Sequence, residues 1–168
     1  VYPDTYELGQ ANQAVRILCN AVDRKDDMAA ERSFLPAPDF CDVLRAHDIP
    51  LFSLESCAPV NEFDVVGITL SHELAATTIL EALDLAGIPL HADKRNEEDP
   101  LVIAGGPCTY NPEPFYRFFD VISIGEGEES IGEIMDVCYD MKQKGSSRLE
   151  ILRALSQIPG QYVPAFYH

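Results

Sequence analysis

The chain has 168 residues, 46% of them apolar, and sets 12 Lys and Arg against 28 Asp and Glu for a formal net charge of −16. A chain of this length buries roughly 70% of its unfolded surface and can hold a core without disulfide or metal staples. Its apolar fraction excludes disorder, no apolar run reaches the ~20 residues of a membrane span, and its scattered Lys and Arg form no basic patch for nucleic acid.

In chain order, Val1 and Tyr2 read as the end of a strand, followed by a loop over residues 3–9. Ala11, Ala14, Val15, Leu18, Ala21 and Val22 recur at helical spacing and predict an amphipathic helix over 10–23. A second strand fits 30–35, Pro36 and Pro38 punctuate, and Asp39 is a candidate cap for a helix to about residue 46 with Phe40, Val43 and Leu44 inward. Residues 51–54 read as a short extra strand, and the nearly continuous apolar run 63–70 as a central parallel strand covered on both faces. Ser71 is expected to cap the next helix, whose stripe is Leu74, Ala75, Thr78, Ile79, Ala82 and Leu83 and which Gly87 closes.

A strand over 101–104 leads into Gly105-Gly106-Pro107 and a proline-broken loop, a short helical turn, and a fifth strand over 121–124 that ends at Gly125. Ile131, Ile134, Met135, Val137, Cys138 and Met141 mark another helix, and Ser147 caps a last one carrying Leu149, Leu152 and Leu155. Strands alternating with helices call for right-handed crossovers, so the expected fold is α/β: a doubly wound, flavodoxin-like, mostly parallel five-stranded sheet in the order 2-1-3-4-5 with helices on both faces. The expected division is an α/β unit over 1–145 and a C-terminal helix and linker over 146–168. The opening inside a strand without Met and the apolar, aromatic end 160–168 suggest a piece of a longer protein.

In such sheets ligands sit outside the carboxyl ends of the strands. Four loops rich in Gly, Pro and small polar residues follow strands there: 3–9, 70–73, 105–113 and 125–130. A dinucleotide loop is excluded, because Ser130 stands where a third glycine is needed and Gly125-Glu126-Gly127-Glu128-Glu129 would aim carboxylates at a pyrophosphate. No Gly-Lys-Ser/Thr sequence supplies a nucleoside triphosphate site, and His72-Glu73 lacks the second His of a zinc-protease helix. Cys19, Cys41, Cys57, Cys108 and Cys138 are odd in number and far apart, which reads as reduced thiols in a cytoplasmic protein and leaves Cys108 a packing residue rather than a nucleophile. Glu128 and Glu129 suit the positive end of a helix dipole, while Glu7, Glu73, Glu113 and Glu126 edge the same rim. His72 reads as a first-turn helix residue, and His47, His91 and His168 as peripheral.

The four loops together resemble a known family. Asp4-Thr5-Tyr6-Glu7-Leu8-Gly9 resembles the Asp-x-His-x-x-Gly loop of cobalamin-binding domains, with Tyr6 in the place of the histidine. The run from Asp64 to Ser71 is similar to their third strand and its turn, with Thr69 and Ser71 in place of the Ser-x-Leu motif, and Gly105-Gly106 resembles their Gly-Gly pair. Gly125-Glu126-Gly127-Glu128 is similar to the Gly-Glu-Gly-Glu of the cobalamin-binding-like domains that precede radical S-adenosylmethionine cores, and Ile158 to Pro164 resembles the segment leading into that core in one uncharacterised family of iron–sulfur oxidoreductases.

The resemblance implies a non-catalytic first module of a larger radical enzyme. Its implied cofactor-binding residues are Asp4, Tyr6, Gly9, Thr69, Ser71, Gly105, Gly106, Gly125, Glu126 and Gly127. It implies no catalytic or metal-ligating residue within the chain. With Tyr6 for His, cobalamin would bind without a protein nitrogen on its lower face, since a neutral phenol is a poor ligand at pH 7. The alternative is a flavodoxin-like docking domain that binds no cofactor. A four-iron cluster and S-adenosylmethionine belong, on this reading, to a core domain downstream in the same chain, because no Cys-x-x-x-Cys-x-x-Cys occurs here. That core is the implied partner; substrate and oligomeric state are left open.

Overall fold

A computed structural model describes residues 1–167; His168 lies outside the described residues. The helices are α1 (Tyr6–Gly9), α2 (Gln13–Asp23), α3 (Pro38–Ala46), α4 (Ala76–Leu85), α5 (Gly127–Gln143) and α6 (Arg148–Leu155), and the strands β1 (Val65–Thr69), β2 (Leu101–Gly105), β3 (Val121–Ser123) and β4 (Gln161–Tyr162). The strands form one sheet in the order β1-β2-β3-β4, parallel among the first three, with β4 antiparallel on β3. Side chains alternate across it. Val102, Ala104 and Ile122 join Leu44, Ile79 and Leu83 in the core on the α3–α4 face, while Leu101, Ile103 and Val121 meet Ile134, Cys138, Leu152 and Leu155 on the α5–α6 face.

The mixed, mostly parallel α/β architecture with helices on both faces agrees with the sequence, whereas the hydrogen-bonded sheet has four strands rather than five. The expected strands at 1–2 and 30–35 shrink to one parallel bridge, Tyr2 to Phe34, held by Tyr2 N donating to Ser33 O at 2.9 Å and Leu35 N to Tyr2 O at 3.2 Å. Val1 in turn lies beside β1: its N donates to Gly67 O at 2.5 Å and its O accepts from Thr69 N at 3.2 Å. Pro3 and Pro36 have no N–H to donate, so neither segment can extend its ladder. Residues 51–54 are likewise reduced to an antiparallel bridge between Phe52 and Pro59. The strand that patterning missed is β4, which follows Gly160 and closes the far edge.

Helix boundaries depart from expectation in three places. Residues 6–9 form the short α1 where a loop was expected, and the next helix starts at Gln13 with Asn12 Oδ1 accepting from Ala14 N and Val15 N. Asp39 does not cap α3; it lies in the first turn behind Pro38, and Phe40 and Val43 point outward while Cys41 and Leu44 are buried. Ser71 caps nothing: a 3-10 turn over Glu73–Ala75 intervenes, and Leu74 is 86% exposed instead of joining the inward stripe. By contrast Ser147 caps α6 in a full capping box with Glu150, although Leu149 turns outward, and Gly87 follows α4 at φ +70°.

Candidate functional site

Register places the carboxyl ends of the strands in one row. Thr69 pairs with Gly105, Gly105 with Ser123, and Ser123 with Gln161, so the loops after β1, β2 and β3 leave the sheet side by side. The first two are tied together: Leu70 N donates to Gly105 O at 2.7 Å, and Cys108 N to Leu70 O at 3.2 Å. Gly106 makes this closeness possible. Its φ is +127°, and a Cβ there would stand 2.7 Å from Leu70 O. A Cβ on Gly105, or on Gly125 at φ +115°, would meet nothing within 4 Å. The row therefore has one glycine demanded by backbone packing and two facing open space.

Thr69, Ser71, Gly105, Gly106, Gly125, Glu126 and Gly127 thus occupy adjoining loops at this edge. Glu126 is the N-cap of α5 without a side-chain cap bond, and Glu128 and Glu129 stand in its first turn, where they complement the helix dipole. Beneath them Gln161 Nε2 donates to Ser123 Oγ at 3.0 Å, and Ser123 Oγ lies 3.3 Å from Ser130 Oγ. Gln161 is buried and its Oε1 has no hydrogen-bond partner, the one such buried side-chain atom among the described residues. Sequence reasoning missed Gln161 because β4 is only two residues long.

The first loop is packed on itself. Asp4 Oδ1 accepts from Thr5 N at 2.7 Å, and the Tyr6 ring meets Phe34 edge-on with centroids 5.4 Å apart. A Cβ on Gly9 would stand 2.5 Å from the Phe34 ring and 2.7 Å from Tyr2, so this glycine is explained by aromatic packing. Cys108 fits a packing role: desolvation first, then Glu73, pushes its thiol above the ordinary range, away from the thiolate a nucleophile needs. Glu113 accepts from Tyr162 Oη at 3.1 Å beside β4.

The opposite, amino end of the sheet holds features the sequence did not signal. Asp120, just before β3, is buried; its Oδ2 accepts from Arg95 Nη1 and Val102 N, each at 2.8 Å, and forms an ion pair with Arg148 Nη2, which itself donates to Pro100 O. Arg95 has no exposed side-chain surface and also donates to the carbonyls of Pro89, Leu90 and Phe118. Burial pulls its guanidinium below the ordinary range, and Asp120 opposes that pull. A cavity of about 670 Å³ opens beside this cluster, between Phe119, Leu149, Leu152 and Pro164 and the charged Lys94, Arg117 and Arg148.

No group of three or more His, Cys, Asp or Glu among the described residues could hold a metal ion, and the described cysteines are all free thiols. No described helix is long and apolar enough to cross a membrane. A family model described as radical SAM proteins, N-terminal, matches residues 14–164, nearly the whole chain. The chain belongs to this radical SAM N-terminal family. No curated protein and no solved structure matches it. For a radical SAM N-terminal domain, the missing cysteine triplet is the expected condition, since the family places the iron–sulfur cluster and S-adenosylmethionine in the core domain.

Proposed function

We propose that this chain is a non-catalytic α/β module of a larger radical SAM iron–sulfur enzyme, and that the catalytic core follows it in the same polypeptide. The observation that carries the reading is the family match over 14–164 in a chain whose five cysteines never approach cluster spacing. The module consists of the α/β unit over 1–145 and the extension over 146–168, of which β4 joins the sheet. Residues 1–2 and 33–35, bridged in parallel to each other and bonded to β1, support the neighbour order 2-1-3-4-5. The free thiols support a reduced, cytoplasmic setting.

Cobalamin is the ligand that the loop resemblance implies for the carboxyl edge, and the residues fit it in part. A Cβ at Gly105 or Gly125 would meet nothing within 4 Å, so neither position obstructs an arm threaded along the sheet, and Thr69, Ser71, Glu126 and Gly127 stand on the adjoining loops. The first loop offers cobalt no nitrogen, and Tyr6 is held on Phe34. Asp4, Tyr6 and Gly9 are therefore proposed to shape the rim rather than to coordinate. Bound cobalamin would supply a reducible metal and a transferable alkyl group; the chain supplies only room and polar contacts.

Gel filtration of the intact protein after incubation with hydroxocobalamin tests this. A coloured species in one-to-one ratio, lost on Gly105→Leu with the fold retained, is the expected result. A colourless protein with an unchanged melting temperature overturns the cobalamin reading and assigns the module to docking alone, because a ligand held by the native state must raise its stability.

A further inference from the structure

The carboxyl edge carries a second pattern, in its exposed side chains. Four large apolar residues stand out among the described ones: Leu74 is 86% exposed, Tyr110 76%, Tyr167 69% and Leu8 61%. Three of these lie on neighbouring loops of one edge, Leu8 on α1 after the segment that pairs with β1, Leu74 after β1, and Tyr110 after β2. The loops bearing Leu74 and Tyr110 are bonded together through Leu70 and Cys108, which sets the two residues on adjoining loops. Apolar residues scattered singly over a surface need no explanation, but a cluster at one edge marks an interaction site.

The charge around this cluster is of one sign. Exposed Glu7, Glu73, Glu126, Glu128 and Glu129 flank the three apolar side chains, while Lys and Arg are absent from 3–9, 70–75, 105–111 and 124–130. A second copy of a chain with net charge −16 would bring like charge against like, which costs rather than gains free energy. Nucleic acid and anionic lipid are repelled for the same reason. The surface fits a protein face with apolar sockets and a Lys/Arg rim.

Resting on the module reading above, we propose that this edge is the docking face for the radical core domain of the same protein, which covers Leu8, Leu74 and Tyr110 and surrounds them with basic residues. Closure there would place the open space over Gly105 and Gly125 at the domain boundary, out of bulk water, and would offset part of the module's acidity.

The test uses the intact, reconstituted protein, with iron content measured on the same sample. Hydroxyl-radical footprinting should label Leu74 and Tyr110 about tenfold more slowly than their exposure in the isolated fold implies, because interface cores exclude water; Phe40 on α3, 45% exposed, serves as the reference. With Tyr110 replaced by p-benzoylphenylalanine, irradiation should give an intramolecular cross-link to a Lys/Arg-bearing peptide of the core. Rapid labelling of Leu74 and Tyr110 in a cluster-loaded protein overturns the docking face and leaves the module reading intact. A cross-link between two copies overturns it in favour of a dimer. Protection in a protein that binds no cluster overturns both, since something other than a radical core then covers the edge.

Discussion

Gly106 and Gly105 are adjacent in sequence and opposite in physical role. The carbonyl of Leu70 presses on the first, which also holds a left-handed φ of +127°, while the second has space around it. Gly106→Ala should therefore destabilise by about 2 kcal/mol or more, from backbone strain of ~1–3 kcal/mol plus a contact that only backbone movement relieves. Gly105→Ala should change stability by less than about 1 kcal/mol, the ordinary range for a site with room. Denaturant midpoints of the two variants check this, and equal losses would show that the β1 and β2 loops are not held as described. The sequence located both glycines at a strand end, but composition could not say which faces a neighbour's carbonyl, because that depends on register between strands far apart in the chain. Gly9 shows the same limit: it fits a ligand loop by spacing and is used to admit the rings of Phe34 and Tyr2.

Helices and central strands were legible where periodicity and burial coincide. The runs that became β2 and β3 are buried on both faces, whereas β1, expected to be covered on both, buries only Val66 and Ile68 and leaves Gly67 exposed; Ser147 announced α6. What patterning lost were features defined by long-range partners: β4, and the outward turns of Phe40, Val43 and Leu74, whose apolar character alone suggested burial. The Arg95–Asp120–Arg148 cluster belongs to the same class, since nothing local links three charges 25 and 28 residues apart. It ties the start of β2, the start of β3 and the start of α6 at one point. Asp120→Ala would leave Arg95 buried without a carboxylate, so a loss of about 3–5 kcal/mol is expected from urea unfolding. A loss below about 1 kcal/mol would mean that the backbone carbonyls alone satisfy both guanidinium groups.

At the scale of the whole molecule, the sheet divides its two ends between different tasks. The amino end is locked by buried ion pairs, and the carboxyl end presents small residues, acid and exposed apolar side chains. The latter arrangement has little purpose in an isolated domain and accords with a radical SAM N-terminal module. The cysteines are consistent with the proposed non-catalytic role. Cys138, pushed up to about 12 by burial, and Cys41, raised for the same reason, are neutral packing residues, and the remaining thiols lie apart.

In the proposed arrangement, cluster chemistry takes place in the core domain and none of the module's five cysteines ligates iron. Anaerobic reconstitution of the intact enzyme, with each of Cys19, Cys41, Cys57, Cys108 and Cys138 replaced by Ala in turn, measures it directly through iron and sulfide content and the reductive cleavage of S-adenosylmethionine. A full four-iron cluster and undiminished cleavage are expected in all five variants. Loss of the cluster in any correctly folded variant would contradict it.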